Sequence, residues 1–325
     1  VNAGAGDVVR NAGGAIVDTD GTTDVQATNA AITANGAIGA TGIGNAIDTV
    51  VSNFEATSIT GGIFVSNTGD WSIGNATANL AGVNAAGDIE ISAASTITVN
   101  EAINAGGAET LTATDDVIFN ASVQAVGDLT VNAGTDGSGN ITQNAGGTLT
   151  TTAAGSDILL TSGATTGNVS FADNVLAADI LRITSAAGGT VSQSAGTITG
   201  DLELLGAAIV SLNSASNDFG TVAADLNPGS FSLADANDIT FTDMLPEGMN
   251  FEIYSRDALE TSHAEGQAGE RSEYCSAYAR RCPERFRIGL IDVPKDWQRL
   301  DLRLTVDYPE DLIVCRGVYE GLKDH

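Results

Sequence analysis

The stretch GDIEISAASTITVNEAINAGGAETLTATDDVIFNASVQAVGDLTVN, Gly87–Asn132, decides how the chain is to be read. Short runs such as DIEI from Asp88, DVIF from Asp116 and DLTV from Asp128 each open on an acidic residue and then place an apolar residue at every second position. That period of two is the mark of a strand with one buried face. Between the runs lie Gly and Asn clusters, which accept positive φ and turn the chain. The same unit returns outward from this stretch as NITQ from Asn140, DILL from Asp157, NVSF from Asn168, DILRI from Asp179, DLEL from Asp201 and DITF from Asp238. The starts at Asp116, Asp128 and Asn140 are evenly spaced, and those at Asp157, Asn168 and Asp179 nearly repeat the same interval. Asp179 to Asp201 is close to twice that step. The repeat is real but imperfect.

Regular short strands with Gly/Asn turns predict a β-solenoid, in which each coil pairs with the next and all share one core. A conventional β-sandwich and a disordered acidic chain are the competing readings. Disorder is disfavoured by β-branched alternation sustained through most of this part of the chain. At roughly 20 to 24 residues per coil, residues 1–243 make about ten to twelve rungs. At about 4.8 Å per rung this is a rod of roughly 50 Å.

Composition changes abruptly at Asp243/Met244. Residues 1–243 hold two basic residues, Arg10 and Arg182, against 25 acidic ones, a net of −23, with no Lys, Cys or His. Residues 244–325 hold 11 basic and 16 acidic residues, both His and all three Cys. A domain boundary is expected there. The whole chain of 325 residues carries a formal charge of −28, which excludes attraction to the phosphates of nucleic acid. No apolar run approaches the roughly 18 to 20 residues of a membrane helix. Three Cys at 275, 282 and 315 make neither a disulfide framework nor a CxxC zinc pair. The chain opens on Val1 with no signal-peptide pattern, so it is read as an internal stretch of a longer protein.

GAIGATGIGNAIDTVVSNFEATSITGGIFVSNTGDWSIG, Gly36–Gly74, together with the GDIEI and GDLTV runs, resembles the repeats of filamentous-haemagglutinin-type adhesins. The resemblance implies a right-handed parallel β-helix, export to the bacterial cell surface by a two-partner or autotransporter route, and an outer-membrane secretion partner for the full protein. It also implies contact with an unknown ligand on a host or neighbouring cell. Such rods act as stalks and contact surfaces without chemistry of their own, and with neither His nor Lys this one cannot assemble a Ser-His-Asp or Ser-Lys pair. Asp18, Asp20 and Asp24, in DTDGTTD, place three carboxylates around a Gly turn and form a weak Ca²⁺ candidate. The bland alternative is turn-forming Asp on a solvated face.

Residues 244–325 read as mixed α and β. Strands are expected at Phe251–Tyr254, Ile288–Val293 and Leu302–Val306, and helices at Arg256–Gln267, Glu270–Arg281 and from Pro309 to about Lys323. Leu312, Cys315, Tyr319 and Leu322 form one apolar stripe on the last helix that calls for a sheet beneath it. Leu245–Glu260, Glu270–Ile288 and Leu300–Leu322 resemble the C-terminal end of a spore-coat polysaccharide biosynthesis-type cytidylyltransferase, a relative of the CMP-sugar synthetases. In that family the Asp of the LTVDxPEDL motif is a metal ligand; the matching residue is Asp307, which equally suits capping the helix that follows. The family's CTP-binding loop of Arg and Lys has no counterpart before Lys295, so the segment is an incomplete nucleotidyltransferase fold with a vestigial ligand. No catalytic residue and no cofactor are therefore expected, and Mg²⁺ enters only if the segment works. The favoured function is a non-catalytic adhesin rod; the alternatives are a nucleotide-sugar enzyme fragment and a calcium-stabilised binding module.

Overall fold

The computed structural model describes residues 1–42, 44–186, 188–206, 208–226, 229–235, 239–241, 252–267, 270, 277–290, 295, 305 and 308–322. Contacts divide the chain into Val1–Asp235 and Ala236–His325.

Val1–Asp235 is a parallel β-solenoid of about 10 turns. Three ladders of parallel strands make its faces. One ladder runs through Asn53–Ser58, Val83–Ala85, Ile103–Ala105, Val123–Ala125 and Leu149–Thr151. A second runs through Ile63–Asn67, Ile89–Ala93, Glu109–Ala113, Leu129–Asn132 and Ile158–Thr161. The third runs through Trp71–Ile73, Ile97–Val99, Val117–Phe119, Ile141–Gln143 and Val169–Phe171. Handing each strand to the partner one coil later satisfies the backbone groups that a single short strand leaves open.

The interval between register partners varies along the rod, from Ile47 with Val65 at its shortest to Leu129 with Ile158 at its longest. The coils of the decisive stretch are equal in length, Ile89 pairing with Glu109 and Glu109 with Leu129. The expected coil length is thus the centre of a wider spread, because corner loops vary in length.

The core is the set of inward positions stacked from coil to coil. Val83, Ile103, Val123 and Leu149 form one column; Val65, Ile91, Leu111, Val131 and Leu160 form another; all are buried. Each such side chain contributes roughly 1.5–3 kcal/mol by leaving water. Phe54, Trp71, Phe119 and Phe171 are also fully buried, and Trp71 packs on Phe54 with ring centroids 5.1 Å apart. Gln143, the polar end of NITQ, points inward as well, its amide donating to the Gly147 and Asn174 carbonyls at 2.9 Å. Corners are tight: at Gly82, φ is +66° and an added Cβ would lie 1.9 Å from the Ala102 carbonyl oxygen.

The DITF run is a correction. Ile239–Phe241 does not continue the solenoid ladders. It pairs antiparallel with Glu252–Tyr254 and parallel with Ile288–Leu290, in a three-stranded sheet of the second unit. Its apolar alternation is shared by any half-buried strand, and only its partners separate the two cases. The division between units accordingly lies at Asp235/Ala236, ahead of the compositional change at Asp243/Met244.

Ala236–His325 also holds helices at Arg256–Glu265, Ala277–Arg281 and Pro309–Leu322. Ser255 caps the first, its hydroxyl accepting from the Ala258 amide at 3.1 Å. Of the expected helix Glu270–Arg281, Ala277–Arg281 is helical and Glu270 lies in a 3-10 turn; 271–276 fall outside the described residues. A small core joins Ala258, Tyr278, Ala279 and Phe286. On the last helix Leu312 is 44% exposed and Tyr319 68%. Those two members of the expected stripe lack the cover the pattern calls for. The expected strand Leu302–Val306 lies outside the described residues except for Thr305.

Candidate functional site

The residue that opens each repeat has a structural task. Asp116, Asn140 and Asn168 immediately precede Val117, Ile141 and Val169, which are register partners on successive coils. Asp116 Oδ1 accepts from the Asn140 amide at 2.7 Å and its Nδ2 at 3.0 Å. Asn140 Oδ1 accepts in the same way from Asn168, both at 3.0 Å, and Asn168 Oδ1 from the Thr190 amide and hydroxyl. On the second face Asp88, Asp128, Asp157 and Asp201 accept from the amides of Ala108, Asp157, Ile180 and Thr221. Each such side chain caps the coil that follows. Where strands leave the third face, Asn100, Asn120 and Asn144 pass one amide bond along the axis.

Two consecutive corners are lengthened by the loops Gly134–Gly139 and Gly163–Gly167, whose backbones bond to each other. Beside them opens a groove of about 460 Å³. Thr96, Asp115 and Asp116 line it from the short corners, and Ser138, Asn140, Thr166 and Asn168 from the long ones. Nearby, the Ser95 hydroxyl sits 2.6 Å from Asp70 Oδ1 and 2.8 Å from Asp115 Oδ2. Having one proton, it donates to one of them at a time. The bonds from Ser95 and from the Thr96 amide hold Asp70 below the usual carboxyl range. The groove is rich in acceptors, and no His, Lys or Cys occurs in Val1–Asp235 to serve as base or nucleophile.

Asp18, Asp20 and, from the next coil, Asp48 lie near enough to Asp24 for their charges to act on it. Buried Asp18 accepts from the Asp20 amide at 3.0 Å and the Gly21 amide at 3.2 Å. Asp20 accepts from Thr22, and Asp24 from the Asp48 amide at 3.1 Å. Partial burial, then the charges of its acidic neighbours, push Asp24 above the ordinary carboxyl range, and Asp48 is raised for the same reasons. Among the described residues no three or more His, Cys, Asp or Glu are arranged to hold a metal ion. Sequence reasoning missed Asp48, because it lies a full coil beyond Asp24 and meets it only through coil register.

A second clamp went unread. Glu55, fully buried, accepts from the Ala76 amide at 3.0 Å, the Thr77 amide at 3.1 Å and the Thr77 hydroxyl at 2.9 Å. Glu101 accepts from the Asn75 amide at 3.2 Å and the Gly82 amide at 2.7 Å. Together they fix the corner loop between Ile73 and Val83.

In the second unit Tyr278 donates to Glu265 at 2.7 Å, Arg285 pairs with the same carboxylate, and the Arg281 guanidinium lies 5.2 Å from the Tyr278 ring centre. Arg281 also pairs with Glu270, which is thereby lowered to about 2. Cys282 is a half-buried free thiol. Asp307 and Cys275 lie outside the described residues. No known protein family, curated protein or solved structure matches the chain.

Proposed function

We propose that the solenoid is a rigid contact rod of a secreted bacterial surface protein, of the filamentous-haemagglutinin-like, right-handed kind, and works by adhesion without catalysis. The observation that supports this reading most is the outward column of Asp, Asn, Ser and Thr carried across successive coils and opening into the groove beside the two long corners. A stack of short coils holds such groups at fixed intervals, so contact with another surface costs little ordering. In this reading the C-terminal segment is an inactive cytidylyltransferase remnant. Beads coated with the full chain are expected to attach to host epithelial cells or neighbouring bacteria above albumin-coated beads, and soluble chain to compete. Attachment at the albumin level across both cell classes refutes the adhesive role. CTP-dependent pyrophosphate release is expected at background; turnover that disappears in Asp307→Ala overturns the non-catalytic reading.

A second reading is a Ca²⁺-stabilised module, in which a cation would relieve the repulsion that Asp18, Asp20 and Asp48 exert on Asp24. A ligand that binds only the folded state raises its stability. A melting temperature indifferent to millimolar Ca²⁺ and to chelator disposes of it.

A further inference from the structure

On the second face one inward column reads Ile63, Ile89, Glu109, Leu129, Ile158 in successive coils. Alternation along the strand puts Glu109, Leu111 and Ala113 inside and leaves Thr110 and Thr112 toward the surface. Glu109 is fully buried, and neither of its carboxyl oxygens has a hydrogen-bond partner. Its backbone is held in place, the amide donating to the Asp128 carbonyl at 2.8 Å. The contrast is Glu55, equally buried but met by three donors.

Among the described residues of Val1–Asp235 no cation pairs with Glu109. The basic residues of Val1–Asp235 are exposed Arg10, on the strand Asp7–Ala12, and Arg182, paired with Glu203. The acidic groups on the packed strands and their corners are engaged elsewhere or face solvent. Asp88 accepts from Ala108, Asp128 from Asp157, and Asp116 from Asn140. Asp115 meets Ser95, Glu101 meets Asn75 and Gly82, and Glu90 is exposed. The strands Val83–Ala85, Ile97–Val99, Ile103–Ala105, Val117–Phe119 and Val123–Ala125 carry no titratable side chain. An ionised carboxylate has nothing here to replace water.

We propose that Glu109 is a pH-operated seam in the solenoid. Protonated, it fills its place in the apolar column; ionised, it parts Glu109–Ala113 from Ile89–Ala93 and Leu129–Asn132 and divides the stack at that coil. Burial pushes its carboxyl well above the ordinary range, which fixes the sign. Below the unfolded chain's pKa, about 4.3 for Glu, both states hold the proton and nothing is lost. Above it the unfolded state releases the proton first, so the folding equilibrium falls about tenfold per pH unit until the folded state ionises too. The seam acts on the rod itself and does not depend on what the rod adheres to.

Hydrogen exchange of the full chain, corrected for the intrinsic pH dependence, tests this between pH 6 and 9. Protection of amides in 89–93, 109–113 and 129–132 is expected to fall about tenfold per pH unit in the wild type while 29–34 holds. Glu109→Gln and Glu109→Leu, which cannot ionise, are expected to remove that slope, and Glu90→Gln to keep it. A slope unchanged in both Glu109 variants, a loss spread evenly along the rod, or no loss up to pH 9 overturns the proposal. ¹³C carboxyl resonances of the wild type give a reading that needs no variant. One Glu is expected to stay protonated at pH 7; a full set titrating in the ordinary range overturns the proposal.

Discussion

Removing the Glu55 side chain is expected to loosen one corner of the solenoid, by an amount that its three bonds allow to be worked out. In Glu55→Ala the Ala76 amide, itself buried, loses its only acceptor. An orphaned buried donor costs roughly 1–3 kcal/mol. The Thr77 amide and hydroxyl are half-buried, so water takes over and each costs about 0.5–1 kcal/mol. Removing the carboxyl also recovers the free energy spent in burying it, which offsets part of the sum. The net expectation is a loss of about 2–3 kcal/mol. Glu101→Ala supplies the comparison. Its carboxyl is half-exposed and makes two bonds to the same loop, so solvent replaces them and the loss is about 1 kcal/mol or less. Trp71 is the natural reporter, being buried against Phe54 just before the loop begins at Gly74. Urea unfolding followed by its emission, in a Trp297→Phe background that leaves one indole, reads the shift in midpoint. Native proteolysis at 74–82 should rise in Glu55→Ala alone. The reasoning is refuted if Glu55→Ala stays within about 0.5 kcal/mol of its parent, or if Glu101→Ala costs more.

Gly82→Ala, with positive φ and an added Cβ 1.9 Å from the Ala102 oxygen, should cost more than Gly155→Ala, where φ is +80° and the space is open. The second is expected to lose about 1 kcal/mol by chemical denaturation, and equal losses would show that the corner yields. Asp24 and Asp48 are raised above the ordinary carboxyl value, so the stability they withhold at neutral pH returns as pH falls through their folded pKa values. Asp20, Asp70 and Asp173 are lowered and act in the opposite sense, losing their contribution only at more acid pH. Melting temperature is therefore expected to rise on mild acidification and then fall, and Asp24→Asn with Asp48→Asn should shrink the rise; an unchanged profile counts against the cluster. Trypsin under native conditions should spare Arg182, whose strand is paired on both sides within the solenoid, and cut in the C-terminal segment, which holds 11 of the 13 basic residues. Early cleavage after Arg182 would contradict the ladder assigned to Val175–Thr184.

Parity along a strand is a local property, and it was legible. Ile89 and Ile91, Leu129 and Val131, and Ile158 and Leu160 announce which side is inside before any partner is known, and the Asp or Asn ahead of each run marks a corner. The same rule contained Glu109: Leu111 and Ala113 point inward, so a residue two before Leu111 does too. Its charge obscured that, since an ionisable side chain suggests an exposed site, and only the stacked coils bury it completely. Ile239–Phe241 marks the other limit, a run with the right alternation that belongs to another sheet.

Alternation, turn residues and composition establish that this chain builds short half-buried strands closed by Gly and Asn turns, that a long part of it repeats, and that this part cannot assemble a His- or Lys-dependent catalytic pair. Tertiary structure decided who meets whom. The interval between neighbours across coils is short for Ile47 and Val65 and long for Leu129 and Ile158. It is set by how much chain each corner absorbs, which no local pattern specifies. Hence Asp48 beside Asp24, Glu55 beneath Ala76 and the groove at the two long corners appear only once the coils are stacked, because the hydrogen bonds that fix them run along the axis while the sequence runs around it.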